Sequence, residues 1–273
     1  MIGLIAGAVL ITAVIYTLPK NPPAETAESG QEPISGTGFD FTSYLENSEK
    51  QLDQGLSASL KSLKEKDEKS PEYLKGIQAL WDSAGKPGIA AWYYEKQAQN
   101  DGKEESYLNA AYRYFDAFKA GSDSAEAAWF SGKAIESYTK VLELNPGNLN
   151  AKTDLGALYA EATSEPMKGI MMLREVVEAD STHENAQLNL GFLSMRSGQY
   201  DKAIERFNKV LAINPARIDM YIYRGEALVQ MGKKKEAIES FKVFRNLTSD
   251  QELIRNVDQY ISSLESEGAT VSK

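Results

Sequence analysis

Residues 184–217, ENAQLNLGFLSMRSGQYDKAIERFNKVLAINPAR, decide how this chain folds. Leu190, Gly191 and Ser194 recur at helical spacing in the first half, and Ala203, Phe207 and Val210 do the same in the second. Ser197-Gly198 supplies a tight turn between the halves, and small residues stand where two helices must approach closely. Pro215 ends the second half, because it has no amide proton and restricts the residue before it. The stretch therefore predicts a pair of short amphipathic helices.

One such pair cannot bury its own apolar face and needs neighbours of the same period. Gly225, Ala237 and Phe241 follow Gly191, Ala203 and Phe207 at an interval of 34 residues, with Gly232 again in the turn. Upstream, Leu155, Gly156 and Tyr159 fit a first helix, and Gly169, Leu173 and Val176 fit a second. The turn between them, Ala162 to Lys168, is longer by one residue. The run Leu190-Gly191, Ala203-x3-Phe207 and Pro215 resembles the tetratricopeptide repeat, whose period is about 34 residues and whose pattern is Trp-x2-Leu-Gly-x2-Tyr, Ala-x3-Phe, Pro. Gln187 and Ser194 stand at its aromatic positions. The resemblance implies an all-α fold, a right-handed superhelical solenoid of antiparallel helix pairs, with repeats at 149–183, 184–217 and 218–250.

Residues 71–148 read as degenerate pairs of the same kind. Leu74, Ile77 and Trp81 line one helix, and Ala90 and Tyr94 the next, after a turn at Gly85-Lys86-Pro87-Gly88; Gln78 takes the place of the signature glycine. Leu108, Ala111, Tyr112 and Phe115 begin a longer pair that closes with Ala134, Tyr138, Val141 and Leu142 before Asn145-Pro146. Residues 41–66 carry Phe41, Leu45, Leu52, Leu56, Leu60 and Leu63 on one stripe. They are expected to form one helix that caps the array, or alternatively a self-association helix. At the other end Ser249-x-x-Glu252 reads as a capping box opening a helix over 251–265. Its Leu253, Val257, Tyr260, Ile261 and Leu264 form one face, and 266–273 is expected to be a tail.

The first 18 residues are apolar and uncharged, long enough to span a bilayer as a helix. A cleaved secretory signal is the rival reading, but no Lys or Arg precedes the run and Tyr16-Thr17-Leu18-Pro19-Lys20 makes a poor cleavage site. Residues 1–18 are thus expected to be a transmembrane anchor and 19–40, rich in Pro, Gly, Ser, Thr and Glu, a disordered tether. A single anchor followed by a largely acidic region gives the expectation of a single-pass membrane protein with an extracytoplasmic (periplasmic) repeat domain.

The formal net charge of −9 over 273 residues and a pI near 4.9 oppose nonspecific nucleic-acid binding, which needs basic surface to displace counterions. The absence of cysteine removes disulfides and thiolate metal sites. His183 is the one histidine, reads as a helix-start residue, and makes a poor metal site alone. Gly132-Lys133 lacks the surrounding pattern of a phosphate loop. No catalytic, metal or cofactor site is expected. The aromatic residues Trp81, Trp92, Tyr93, Tyr94, Trp129 and Phe130 are at core spacing, with a sugar platform as the alternative.

What remains is a binding surface. In the family the first helices line the concave face, which by resemblance places Asn150, Thr153, Ala157 and Glu161 inward, then Asn185, Leu188, Phe192 and Met195, then Asp219, Ile222, Glu226 and Val229. Leu188, Phe192, Met195 and Ile222 form an expected apolar patch, ringed by Asp154, Glu161, Asp219 and Glu226. That charge fits a partner protein or peptide with apolar anchors and nearby Lys or Arg. It does not suit the family's clamp on chaperone C-terminal carboxylates, which needs cations. The leading expectation is a membrane-tethered, non-enzymatic scaffold. The alternatives are an assembly protein that self-associates through 41–66 as a homo-oligomer, and a secreted glycan-binding accessory protein using the aromatics near Trp92.

Overall fold

The computed structural model describes residues 38–121 and 124–270. The expected anchor at 1–18 and nearly all of the tether at 19–40 lie outside them. Among the described residues no helix is long and apolar enough to cross a membrane. The described residues form thirteen α-helices and no strand, and they divide between Val176 and Val177 into two compact units.

In the unit before that boundary the chain opens with α1 (Phe41–Lys50) and α2 (Gln54–Leu63). The single helix expected over 41–66 is therefore broken at 51–53. Asp53 causes the break: its Oδ1 accepts the Leu56 amide at 2.8 Å, so a new helix begins where the old one would have continued. Asp40 caps α1 in the same way through the amides of Thr42 and Ser43. The break does not scatter the leucine stripe. Leu45, Leu52, Leu56 and Leu63, with buried Leu60, pack on Tyr73, Leu74, Ile77 and Trp81. This stripe is thus used inside the chain.

The next pair is α3 (Pro71–Ser83) and α4 (Pro87–Asp101), each with proline in its first turn, where the missing amide costs nothing. Gly85 turns between them at φ 66°. Gln78, buried where the signature glycine is missing, donates to the carbonyl of Tyr93 at 3.3 Å and to Gln97 Oε1 at 2.8 Å. A bridging amide thus replaces close backbone contact. Then come α5 (Glu104–Ala120) and α6 (Ser124–Leu144), at 17 and 21 residues longer than one period allows. Finally α7 (Leu149–Ala162) meets α8 (Pro166–Ala179) at a pair of glycines: a Cβ on Gly156 would lie 3.0 Å from the Gly169 carbonyl oxygen.

Beyond the boundary lie α9 (Glu184–Arg196), α10 (Tyr200–Ile213), α11 (Met220–Gln230), α12 (Lys234–Leu247) and α13 (Gln251–Thr270). The 34-residue period has a direct physical basis here. A Cβ on Gly191 would stand 2.7 Å from the Phe207 ring, and one on Gly225 would stand 2.5 Å from the Phe241 ring. Each phenylalanine fills the space its glycine leaves. The turns repeat as well: Asn145, Asp180 and Asn214 side chains accept the amides of Gly147, Thr182 and Ala216, and Thr248 Oγ1 accepts that of Asp250. Two corrections fall on α13. Its cap is Asp250, whose Oδ1 takes the amides of Glu252 and Leu253, and not Ser249, because a carboxylate one residue nearer satisfies both amides. The helix also continues to Thr270, through most of the expected tail.

Candidate binding surface

The expected inward positions fall in both units, and each share stands by itself. Before the boundary Asn150 is exposed, whereas Thr153 and Ala157 are buried, with Thr153 Oγ1 bonded to the Leu149 carbonyl at 2.8 Å. Glu161 is held by Lys119 at 2.6 Å. Asp154 accepts the Tyr138 hydroxyl at 3.2 Å, and burial pushes its carboxyl up to about 6 although that hydrogen bond pulls the other way.

Beyond the boundary the apolar positions separate into two settings. Met195, expected in the apolar patch facing a partner, is instead core: it is buried among Ala203, Phe207, Val210, Met220 and Ala227. The reason is that α11 and its Met220 and Ala227 close over it, which α9's own spacing cannot reveal. Leu188 and Phe192 remain half-buried at the edge of that cluster. Phe192 stands edge-on to Tyr223 at 4.8 Å and to Phe207 at 5.6 Å. Ile222 and Val229 are half-buried against the cluster of Leu228, Phe241 and Ile261, and Asn185 is exposed.

The acidic positions expected to ring the patch are, within each unit, largely compensated by the chain itself. Arg217 clamps Asp219 through two nitrogens at 3.1 and 3.0 Å and reaches Glu184 at 2.8 Å. Glu226 differs from the other three: it has no hydrogen bond or ion pair among the described residues, and burial pushes its carboxyl up to about 7. Tyr223, one turn before Glu226, also belongs to this surface, and burial raises its hydroxyl pKa with help from the charges of Asp219 and Glu226. Sequence reasoning passed over Tyr223, although its i, i+3 spacing to Glu226 signals a shared helix face.

Other candidate chemistry resolves into structure. His183 caps α9, its Nδ1 accepting the Ala186 amide at 3.3 Å. No group of three or more metal-ligating side chains occurs among the described residues. The aromatic residues near Trp92 are engaged with one another: Phe41 stacks on Trp129 at 4.9 Å with planes 12° apart and lies 5.6 Å from Trp92. Phe39 and Tyr44 meet Phe130 at 5.6 and 5.8 Å. The platform imagined for a sugar is covered by the chain's own α1.

The helix pairs, the glycine–phenylalanine crossings and the periodic turns agree with what a family profile described as "TPR repeat" finds at residues 195–232. Residues 195–232 thus carry a tetratricopeptide repeat. Within a stretch of 89 residues the repeat protein is 33% identical to the mitochondrial import receptor subunit TOM70 of Rattus norvegicus and 32% identical to that of Homo sapiens. The match takes in 33% of this chain and 14% of each receptor subunit, so the chain covers only a small part of their length. RNA polymerase-associated protein CTR9 of Saccharomyces cerevisiae is 34% identical over 79 residues, 29% of this chain and 7% of its own. Among solved structures, a MamA protein superposes with a TM-score of 0.52 at 25% identity, covering 64% of this chain and 90% of that one. A tetratricopeptide repeat protein from Parabacteroides merdae gives 0.56 at 20% identity, covering 83% and 87%; this likeness is one of fold.

Proposed function

We propose that this repeat protein is a membrane-tethered, non-enzymatic scaffold that holds a partner protein or peptide against the first-helix surface of its repeats. The observation that carries the reading is the surface of α9 and α11, where Leu188, Phe192, Tyr223 and Ile222 stay half-buried beside the uncompensated Glu226. Apolar side chains left partly open side by side favour contact with another chain. The partner segment carries apolar anchors and Lys or Arg. Nucleic acid is disfavoured by the net charge of −9. The TOM70 chains are named as import receptor subunits and CTR9 as polymerase-associated; both names describe proteins that act by engaging others, in keeping with a scaffold here. Tethering rests on the apolar run 1–18, and the largely acidic region that follows a single anchor favours a repeat domain outside the cytoplasm, in the periplasm. Self-association through 41–66 is the weaker reading, because its leucine stripe is occupied by α3.

The test is recovery of partners from detergent extracts by the full chain, comparing wild type with the double variant Leu188→Ala, Ile222→Ala. Loss of a specific co-purifying protein with an unchanged circular dichroism spectrum is expected. Equal recovery by a fully helical variant would remove the surface from consideration.

A further inference from the structure

The groove between α4 and α6 is filled at one end and open at the other. Trp92, Glu95 and Gln99 share a face of α4, and Trp129, Lys133, Glu136 and Lys140 share a face of α6. At the first end the chain supplies its own occupant: Phe41 of α1 stacks on Trp129 at 4.9 Å and lies 5.6 Å from Trp92. One turn further along α6, Lys133 bridges the groove, bonded to Glu136 at 2.9 Å and to Glu95 at 3.4 Å. Past that bridge a cavity of about 750 Å³ is lined by residues of α4 to α8, all of them within one unit of the chain. Ile135, Leu155 and Met172 are its apolar lining.

Two polar groups of this cavity are left with capacity to spare. Lys168 Nζ donates to the Tyr159 hydroxyl at 2.7 Å and stands 4.0 Å over its ring, yet it has no carboxylate partner among the described residues. The other lysines of the groove do: Lys133 has Glu95 and Glu136, and Lys140 has Glu143 at 2.6 Å. Tyr159 is 8% exposed, and its hydroxyl proton has no acceptor among the described residues, because the contact with Lys168 uses the oxygen as acceptor. An ammonium and a phenol proton side by side form a receptor for an anionic oxygen. The rim is apolar. Met167 and Met171 are 59% and 58% exposed, with Met171 one turn from Lys168, and exposed Leu144 stands one turn past Lys140. Of the four large apolar or aromatic side chains exposed in this unit among the described residues, three thus flank one groove, and Tyr112 is the other.

We propose that the open end of the α4–α6 groove is a second docking surface, which seats one Asp or Glu side chain of a partner segment on the Lys168–Tyr159 pair and the apolar residues beside it on Ile135, Met172 and the methionine rim. Charge complementarity fixes the acidic residue, and the seat of Phe41 at the filled end shows that the same groove accepts large apolar side chains. Methionines at the rim adapt to side chains of differing shape. This surface belongs to the second helices of the earlier unit and does not depend on the surface of α9 and α11.

The experiment pans a random-peptide display library, each peptide fused to the coat protein through its C terminus, against the full chain in detergent. Four forms are compared: wild type, Lys168→Met, Tyr159→Phe, and Met167→Ser combined with Met171→Ser. Wild type is expected to enrich a set of peptides with one Asp or Glu among apolar residues. Lys168→Met should weaken that set by about tenfold, Tyr159→Phe several-fold, and the double methionine variant should reduce its apolar preference. An acidic set that is absent from wild type, or undiminished by Lys168→Met or Tyr159→Phe, overturns the proposal. An enriched peptide with both termini blocked is then coupled to the wild-type full chain by a carbodiimide, which joins a lysine amine to a carboxylate. Mass spectrometry should find the acidic residue of the peptide joined to Lys168. Coupling to other lysines instead, or Lys168 joined to the chain's own Glu25, Glu28 or Glu32, overturns the proposal, and this second readout holds even where a variant fails to fold.

Discussion

At Glu226 a half-buried carboxylate has neither a hydrogen bond nor an ion pair among the described residues, and burial pushes its pKa up to about 7. A group whose folded pKa is raised holds its proton more tightly in the native state, so it lowers stability as pH rises from the ordinary carboxylate range through 7. Asp154, raised to about 6, acts in the same sense. Glu226→Gln should therefore be more stable than wild type at about pH 8, by roughly 1–3 kcal/mol, and nearly equal to it at about pH 5. Thermal unfolding at the two pH values checks this, and a wild type and variant with parallel pH dependence would refute it. The positions of these acids were legible in the sequence, but their compensation was only partly so. Arg217 stands two residues from Asp219, whereas Lys119 reaches Glu161 across 42 residues, a pairing that helix spacing does not reveal.

At the scale of the element, local chemistry decides boundaries that periodicity leaves open. Asp53 splits the helix expected over 41–66, and Asp250 starts α13 where Ser249 also fits the capping pattern. Asp250→Ala should cost about 1 kcal/mol and speed exchange of the Glu252 and Leu253 amides, while Ser249→Ala should leave both unchanged. Hydrogen exchange combined with urea unfolding separates the two, and the opposite ranking would restore Ser249 as the cap. The clear helix pairs were readable because one rule fixes them: Gly191 with Phe207 and Gly225 with Phe241 are contacts that recur at the sequence period. Gln78 obscures the earlier pair because it joins its helices by hydrogen bonds, for which the repeat pattern has no symbol. Met195 misled for a related reason. Its burial depends on Met220 and Ala227 from the following pair.

At the scale of the whole molecule two properties define the account, attachment and capture. The uncharged run 1–18 predicts that the full chain sediments with membranes and stays there through high salt and alkaline wash. A soluble form whose N terminus lies beyond Lys20 would identify a removed signal instead. Capture is the central claim, and site-specific photocrosslinking in intact cells tests it most directly. A photoreactive residue placed at Ile222 should give a discrete adduct that disappears with Glu226→Lys, while one at exposed Lys209 on α10 should give none. Adducts of equal yield from both positions, or an Ile222 adduct indifferent to Glu226→Lys, would contradict the account.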